Sequence, residues 1–261
     1  MNDYEDKLKR ELEWHTGQGF RAKHFLNRSV FFSPERNAFN YVFPRKRLAL
    51  MMDRAIAGAG MKAPAMLVAP LGTGEDMIYI SHITPDISGI DISEDAVRAV
   101  SAPNLKKFTG DVKDMSMFPD ESFDIVVASL FFHHFVNYGF EPYLNEMNRV
   151  LKPGGYLFSL EPSSLNPFVW AMRLAKMFFG NITGTVEDEA PFYPPRLAAA
   201  MGKCGFDGVR IEGAGFAHNR TPIFASKILN AATLPLLRSP VVKHFCWMCV
   251  FQGIKKSPEI N

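Results

Sequence analysis

Apolar residues recur along the chain in two alternating patterns. Short apolar runs bounded by glycine, proline or polar residues are followed by segments in which apolar residues return every three or four positions. This alternation is typical of strands joined by crossover helices, and it predicts an α/β fold built on a mostly parallel open sheet. The predicted strands are 65–69, 86–91, 106–109, 123–128, 156–161, 207–212 and 246–254.

Capping residues mark several helix boundaries. Pro44 is predicted to open a helix that ends at Gly58 and Gly60, because proline suits the first turn of a helix and glycine the position after its last turn. Ser93 is predicted to cap the helix after the second strand, and Pro142 to begin the helix before the fifth. The Lys-Pro-Gly-Gly run at 152–155 is expected to end that helix and turn the chain into the fifth strand.

The chain is predicted to form one elaborated domain rather than two. Residues 1–60 are expected to be a helical N-terminal cap segment, and residues 61–261 the sheet domain. Two insertions, at about 162–195 and 216–245, interrupt the later part of that domain. Insertions of this length in a compact domain are usually functional.

Composition narrows the class of protein. The chain has 261 residues, 47% hydrophobic and 21% charged, which is typical of a folded globular protein. A formal net charge of +2 is too small to indicate a nucleic-acid-binding surface, so no nucleic-acid partner is expected. The charged amino terminus lacks the apolar core of a signal peptide, which makes a cytoplasmic location the expectation. Three cysteines, an odd number, do not suggest a disulfide framework.

A glycine turn and an acidic residue predict a ligand pocket. The first strand runs into Gly72-Thr73-Gly74, and Asp91 stands at the end of the second strand. Glycines allow a ligand to approach the backbone closely, and the carboxyl ends of neighbouring parallel strands meet at one edge of the sheet. The two features together predict a nucleotide-type pocket at that edge.

Five ordered motifs make the prediction more specific. They are Gly72-Thr73-Gly74, Gly89-Ile90-Asp91-Ile92-Ser93, Gly110-Asp111-Val112, the run at 118–127 and Arg149-Val150-Leu151-Lys152-Pro153-Gly154-Gly155. In this order the chain resembles the class I S-adenosylmethionine-dependent methyltransferases. The resemblance implies a doubly wound, seven-stranded Rossmann-like sheet, S-adenosylmethionine as cofactor and methyl transfer to an acceptor by in-line displacement.

The resemblance also implies which residues hold the cofactor. Asp91 is expected to accept hydrogen bonds from both ribose hydroxyls, Asp111 to take the adenine amino group, and the Val112 amide to donate to a ring nitrogen. The glycine turn is expected to carry the methionine portion, and the backbone of Ser129 and Leu130 to face its amino end. The full expected set is Ala69, Pro70, Leu71, Gly72, Gly74, Asp91, Ile92, Asp111, Val112, Ser129 and Leu130.

The first motif departs from the pattern of that family at two positions. Val68 stands where the family usually has an acid, and Pro70 stands where it usually has a further glycine. The missing acid leaves open how the positively charged methionine amino group is neutralised. Glu75, Asp76 or backbone carbonyls are the alternatives.

His133 and His134 are the candidate catalytic residues. They follow the fourth strand and are therefore expected near the transferred methyl group. Methyl transfer needs a general base only when the acceptor is a hydroxyl or an acidic carbon, so the alternative for both side chains is packing at the pocket wall. A metal site formed with Glu161 is not expected, because adjacent histidines seldom point at one ion.

The identity of the acceptor depends on segments outside the motifs. The aromatic connector at 31–41, the apolar helix predicted at 166–180 and the insertion at 216–245 favour a small-molecule or lipid-like acceptor. The alternatives are mutual packing or a homodimer surface, with at most peripheral membrane contact. Two other functions stay open: a noncatalytic cofactor-binding or assembly protein, and an NAD-linked oxidoreductase. The latter is disfavoured because Met77 occupies the position of the third glycine in Gly-x-Gly-x-x-Gly.

Overall fold

The structure of the chain is a computed structural model that describes residues 33–179 and 190–257, together with residues 6, 7 and 9. The helical prediction for most of residues 1–32, and the part of the first insertion at 180–189, lie outside the described residues.

Seven strands in the described part of the chain form one sheet. They are β1 (Met66–Val68), β2 (Ile87–Asp91), β3 (Leu105–Thr109), β4 (Phe123–Ser129), β5 (Leu151–Pro162), β6 (Phe206–Gly215) and β7 (Met248–Lys255). Their order across the sheet is β3-β2-β1-β4-β5-β7-β6, with β7 antiparallel to both neighbours and the other pairs parallel. The mostly parallel α/β sheet predicted from the apolar pattern is confirmed.

β5 begins earlier than predicted. The preceding helix ends at Val150 and the strand begins at Leu151, so the Lys-Pro-Gly-Gly run lies within the strand and not at the helix end. The pairing with β4 shifts there between Phe123↔Leu151 and Ile125↔Tyr156. Gly155 is required at this irregularity, because a Cβ there would lie 2.8 Å from the carbonyl oxygen of Lys152. The run therefore acts as a bulge that leads the chain into regular pairing.

Helices cover both faces of the sheet. They are α1 (Pro34–Ala59), α2 (Met77–Ile80), α3 (Glu94–Ala99), α4 (Glu141–Val150), α5 (Pro167–Phe179), α6 (Pro194–Lys203) and α7 (Ile223–Thr233). Leu48 and Met52 of α1 are buried on one face, and Leu144, Met147 and Leu197 of α4 and α6 are buried on the other. Strands covered on both faces explain the continuous apolar runs of β1 and β4.

The prediction that Pro44 opens the first long helix is wrong. α1 begins at Pro34, where the Ser33 side chain accepts a hydrogen bond of 3.2 Å from the backbone N–H of Arg36. Pro44 lies inside α1 and leaves one backbone carbonyl without its helical donor. The apolar face of α1 packs against the sheet and offsets that loss, so most of the predicted aromatic connector is helix.

Both insertions emerge at the same edge of the sheet. β4, β5 and β6 are parallel in direction, so their carboxyl ends lie at one edge, together with the first residue of β7. α5 follows β5 there, as predicted, and residues 216–247 join β6 to β7. The Asn166 amide holds the two insertions together, since its Nδ2 donates to the carbonyl oxygens of Phe216 at 3.3 Å and Phe245 at 3.1 Å.

His218 of the second insertion packs against α5 of the first. Its ring stacks on Phe168 with centroids 4.4 Å apart and contacts the ring of Trp247 at 5.2 Å. Its Nδ1 accepts a hydrogen bond from the backbone N–H of Arg220 at 3.2 Å. Burial, with a smaller contribution from the Arg220 charge, lowers the pKa of His218 to about 3.

This environment predicts loss of stability in mild acid. Because the pKa of His218 in the folded protein lies below its ordinary value, the neutral ring contributes its full stability above about pH 6.5, and that contribution falls as the pH decreases toward 3. Between pH 7 and pH 5 the expected decrease in the free energy of unfolding is about 1–2 kcal/mol. Urea unfolding of His218→Phe is expected to show a shallower pH dependence than the wild type. His82→Gln, which removes an exposed histidine, should keep the wild-type dependence; equal slopes for wild type and His218→Phe contradict the prediction.

Candidate active site

A cavity of about 620 Å³ opens at the carboxyl ends of β1, β2 and β4. Its walls are the turn after β1, the start of α3, the residues that follow β3 and β4, and two side chains of α1, Tyr41 and Arg45. The pocket predicted from the glycine turn and Asp91 therefore lies at the expected edge of the sheet. It is at the point between β1 and β4 where the strand order changes direction.

The glycine turn faces the cavity with its backbone. Gly72 and Gly74 have φ angles of +54° and +73°, which L side chains rarely adopt. A Cβ on Gly74 would lie 2.6 Å from Cγ1 of Val100, whereas a Cβ on Gly72 would meet no atom within 4 Å. Gly74 is thus required by both conformation and packing, and Gly72 by conformation alone.

Asp91 joins the glycine turn to the end of β2. Its Oδ2 accepts a hydrogen bond of 2.7 Å from the Gly72 N–H, and its Oδ1 accepts one of 2.9 Å from the Ser93 N–H. The side chain of Ser93 in turn accepts from the Ala96 N–H at 3.3 Å and caps α3, as predicted. Asp91 is only 7% exposed, and it lines the cavity wall. Its carboxylate is consequently held in a fixed position at the cavity.

Most of the predicted cofactor residues come together around this cavity. Ala69 is the exception, because it is fully buried beneath the turn, where its N–H donates to the Val127 carbonyl at 2.9 Å. Asp111, whose Oδ1 accepts from the Lys113 N–H at 2.8 Å, lies beside Val112 at the wall. The residues of the predicted set that line the cavity are Pro70, Leu71, Gly72, Gly74, Asp91, Ile92, Asp111, Val112, Ser129 and Leu130.

The end of β4 carries a polar group with no protein partner. The Oγ of Ser129 is buried at the cavity wall and has no hydrogen-bond partner among the described residues. The next residue, Leu130, has a φ angle of +54°, a strained conformation for a branched side chain. A buried hydroxyl without a partner, in a residue that lines a cavity, fits a polar ligand that supplies the missing hydrogen bond. The glycine turn, the carboxylates and this hydroxyl together fit an S-adenosylmethionine-type ligand.

His133 and His134 both line the cavity, in a short 3-10 turn formed by Phe132–Phe135. Their rings lie 4.2 Å apart, centroid to centroid. The Nδ1 of His133 lies 2.9 Å from Oε2 of Glu161, and both side chains are buried. Because a carboxylate only accepts hydrogen bonds, Nδ1 carries the proton and Nε2 is the ring atom that can accept one.

Glu161 is a residue whose role the sequence did not indicate. Its Oε1 accepts from the N–H groups of Phe131 and Phe132, each at 2.8 Å, and its Oε2 accepts from the His133 N–H at 3.3 Å. The residue is 1% exposed at the end of β5. This one carboxylate therefore holds the whole histidine turn. The sequence signal that could have identified Glu161 is its position, an acid at the end of an apolar strand. A charge buried there is tolerated only when it is fully hydrogen-bonded.

Arg45 of α1 binds the two acids considered as substitutes for the missing one. Its Nε lies 2.8 Å from Oδ1 of Asp76, and its NH2 lies 2.5 Å from Oε2 of Glu75. The guanidinium carbon lies 5.1 Å from the centroid of the Tyr41 ring. Burial acts to lower the pKa of Arg45, but the two carboxylates outweigh it and raise the pKa above its ordinary value. One cation and two anions thus line the cavity beside the glycine turn, and Arg45 lies 30 residues before Glu75 in sequence.

Comparison with known proteins agrees with the cavity and the fold. Residues 69–159 match the family described as "Methyltransferase domain". A solved S-adenosylmethionine-dependent methyltransferase of Thermotoga maritima, described as a possible histamine N-methyltransferase, superposes with a TM-score of 0.62 at 16% identity and covers 94% of this chain and 99% of its own. One from Archaeoglobus fulgidus has a TM-score of 0.52 at 16% identity over 81% of this chain and 94% of its own. At these identities the two structures show a common fold.

Sequence relatives carry the comparison further. The demethylmenaquinone methyltransferase of Staphylococcus aureus strain JH9 is 37% identical over 171 residues, which are 60% of this chain and 69% of the relative. The match to the protein of the same name from strain MRSA252 is also 37% identical, and it spans about half, 49%, of that relative. The sheet order, the cofactor-type cavity and these relatives agree that the chain belongs to the S-adenosylmethionine-dependent methyltransferases, with S-adenosylmethionine as its cofactor.

Proposed function

We propose that the enzyme methylates a quinol-type acceptor similar to demethylmenaquinone, with His133 as the general base. The observation that carries the proposal is the ring of His133 at the cavity wall, held by the buried carboxylate of Glu161 at 2.9 Å. The base assignment narrows the pair of histidines expected from sequence to His133, because a buried carboxylate positions its ring. His134 is proposed as a lining residue.

The proposed cofactor contacts follow the cavity walls. Asp91 would bind the ribose, Asp111 and Val112 the base, and the glycine turn the methionine portion. Ser129 would donate its buried hydroxyl to the same ligand. When bound, the cofactor supplies a methyl group on a positively charged sulfur that leaves as a neutral thioether. The enzyme must mainly hold the acceptor in line and exclude water.

Arg45, Glu75 and Asp76 are proposed to replace the acid missing at Val68. A methionine end carries one carboxylate and one ammonium group, so it can exchange partners with a cluster that already pairs one cation with two anions. Arg45 would receive the carboxylate, and Glu75 or Asp76 the ammonium group. Val68 itself is buried in the core and does not line the cavity.

His133 would take the proton that makes the acceptor nucleophilic. Loss of a proton from an aromatic hydroxyl raises the electron density of the ring carbons and of the oxygen, which is the condition for attack on a methyl group. The proton passes to Nε2, and the resulting imidazolium is stabilised by the Glu161 carboxylate at Nδ1. Once the ring carbon carries the methyl group, its own hydrogen leaves as a proton and the ring oxygen takes one up, so the quinol is restored and one proton in total stays on Nε2. Phe131, Phe135 and Tyr41 give the wall of the same cavity its aromatic character.

The acceptor class rests on the relatives' name and on that aromatic wall. An aromatic lining suits a planar apolar ring, and the staphylococcal relatives are named for such a compound.

We also propose that the chain divides into a cap segment, residues 1–60, and a cofactor-binding domain, residues 61–261, with insertions at about 162–195 and 216–245.

A direct assay tests the acceptor. The purified enzyme, S-adenosylmethionine and a water-soluble, short-chain demethylmenaquinol are expected to yield the ring-methylated product, detected by mass spectrometry. The oxidised quinone should be a much poorer acceptor, because it has no hydroxyl proton to lose. Equal turnover of the quinone, or no product while cofactor binding is normal, contradicts the proposal.

The two histidines can be separated by matched variants. His133→Asn keeps a donor toward Glu161 but removes the basic ring nitrogen, and is expected to lower kcat about 10²- to 10⁴-fold. Binding of S-adenosylmethionine, measured by calorimetry, should change little. His134→Asn is the control and should retain most of the wild-type kcat. Equal losses in both variants would show that the turn is needed as a whole rather than His133 as a base.

A further inference from the structure

Both insertions expose large apolar side chains on the described surface. On α5, Trp170, Leu174, Met177 and Phe178 are each more than half exposed, and on α7 Phe224 is 77% exposed and Ile228 is 55% exposed. Leu234, Leu236 and Val241 continue the exposed series after α7. We call α5 together with residues 223–245 the insertion surface. Exposed apolar area on this scale marks a contact site, because water disfavours it.

The insertion surface is also free of carboxylates. The sequence contains no Asp or Glu from 162 to 186 or from 213 to 258, although the whole chain contains 27. α5 carries Arg173 and Lys176, and the second insertion carries Lys227, Arg238 and Lys243. Arg238 is paired with Glu212 of β6 at 3.2 Å, and the other four are the basic residues of the insertion surface that would contribute to binding of an anionic partner. Basic residues on these segments are few, which taken alone argues against contact with an anionic membrane. The complete lack of acids changes that balance, because every ionised side chain within α5 and residues 223–245 is positive.

These charges distinguish between two occupants. A second copy of the chain would bring two positive surfaces together, which costs free energy through like-charge repulsion. A surface of anionic lipid headgroups complements the basic side chains, while the lipid interior accepts the aromatic and aliphatic ones. In the described residues no helix is long and apolar enough to cross a bilayer.

The position of the surface adds a functional reason. α5 leaves the carboxyl end of β5, residues 216–247 leave the carboxyl end of β6, and the cavity opens at the same edge of the sheet. We propose that the insertion surface rests on an anionic membrane, so that a lipid-like acceptor reaches the cavity from the bilayer. Entry of the acceptor from the bilayer rests on the proposed function, whereas binding of the insertion surface to the membrane does not.

Vesicle sedimentation tests the binding without any acceptor. The full chain is expected to bind vesicles of phosphatidylglycerol and phosphatidylcholine at least about tenfold more tightly than vesicles of phosphatidylcholine alone, and added salt should weaken that binding. Phe224→Glu and Met177→Glu are each expected to weaken it about tenfold or more. Ile78→Glu is the matched control, because Ile78 on α2 is also 77% exposed but lies outside the insertion surface, and it should bind like the wild type.

Several outcomes overturn the membrane proposal. No preference for anionic vesicles does so, as does equal weakening by Ile78→Glu. Light scattering that shows a dimer in the wild type and a monomer in Phe224→Glu assigns the surface to a second copy instead. Turnover of the water-soluble quinol without vesicles tests the proposed acceptor separately from membrane binding. Phe224→Glu should retain this turnover. Failure of the wild type in that assay rejects the proposed acceptor and leaves the vesicle result standing.

Discussion

Asp91→Asn is expected to raise the dissociation constant for S-adenosylmethionine about 10- to 100-fold. The carboxylate accepts from the Gly72 and Ser93 N–H groups on its two oxygens, so an amide of the same shape must place an NH₂ group against one of these donors. The lost charge also removes the stronger acceptor for the ribose hydroxyls, and one charge-assisted hydrogen bond contributes about 1.5–3 kcal/mol. Isothermal titration calorimetry measures the change directly.

Asp86→Asn is the matched control for this variant. Asp86 lies just before the opposite end of the same strand, where its exposed carboxylate pairs with Lys106 at 2.8 Å. Its replacement should leave cofactor affinity unchanged, since surface ion pairs contribute little. Urea unfolding of both variants separates lost binding from lost folding. Normal affinity in folded Asp91→Asn shows that the ribose lies elsewhere.

Glu161→Gln is expected to reduce both stability and catalysis. The buried carboxylate accepts four hydrogen bonds from the histidine turn, and an amide places donors against donors there, at a cost of about 3 kcal/mol in the free energy of unfolding. kcat for the soluble quinol should fall at least about tenfold, with a smaller effect on KM. If Glu161 had only a structural role, folded Glu161→Gln would not need to show this fall in kcat.

The pH dependence of kcat distinguishes a positioning role from a structural one. Loss of the negative charge beside His133 disfavours the protonated ring, so the deprotonated, active form persists to lower pH. The acid limb of the profile is therefore expected to move to lower pH in Glu161→Gln. Ser159→Ala, which removes only a 3.3 Å contact to the same carboxylate, should keep the wild-type profile. An unchanged acid limb in Glu161→Gln contradicts the base assignment.

The fold could be predicted because its signals are local. Each strand is a short apolar run, and β1, β2 and β4 end in the glycine turn, Asp91 and the histidine turn. Parallel strands then bring those ends to one edge by topology alone. The start of α1 was missed because Pro44 and the Ser33-Pro34 pair are both valid helix openings, and only packing against the sheet decides between them.

The contacts that complete the cavity could not be predicted in the same way. Arg45 lies 30 residues before Glu75 in sequence, and nothing in its neighbourhood distinguishes it from other basic residues of α1. Glu161 resembles a strand-end acid until its hydrogen bonds to the histidine turn are seen. Ser129 matters because its hydroxyl has no described partner, which is a property of the folded structure. Pairings across the chain depend on the tertiary structure, which local patterns do not encode.

The ion pairs of Arg45 have a consequence for how the affinities for cofactor and acceptor depend on each other. Arg45 and Tyr41 belong to α1, whereas Glu75 and Asp76 belong to the turn that would receive the cofactor. A ligand that changes the partners of Arg45 therefore changes the balance of forces between the helix and the turn. An acceptor that contacts Tyr41 is therefore expected to change cofactor affinity, and by thermodynamic linkage the cofactor then changes acceptor affinity by the same factor.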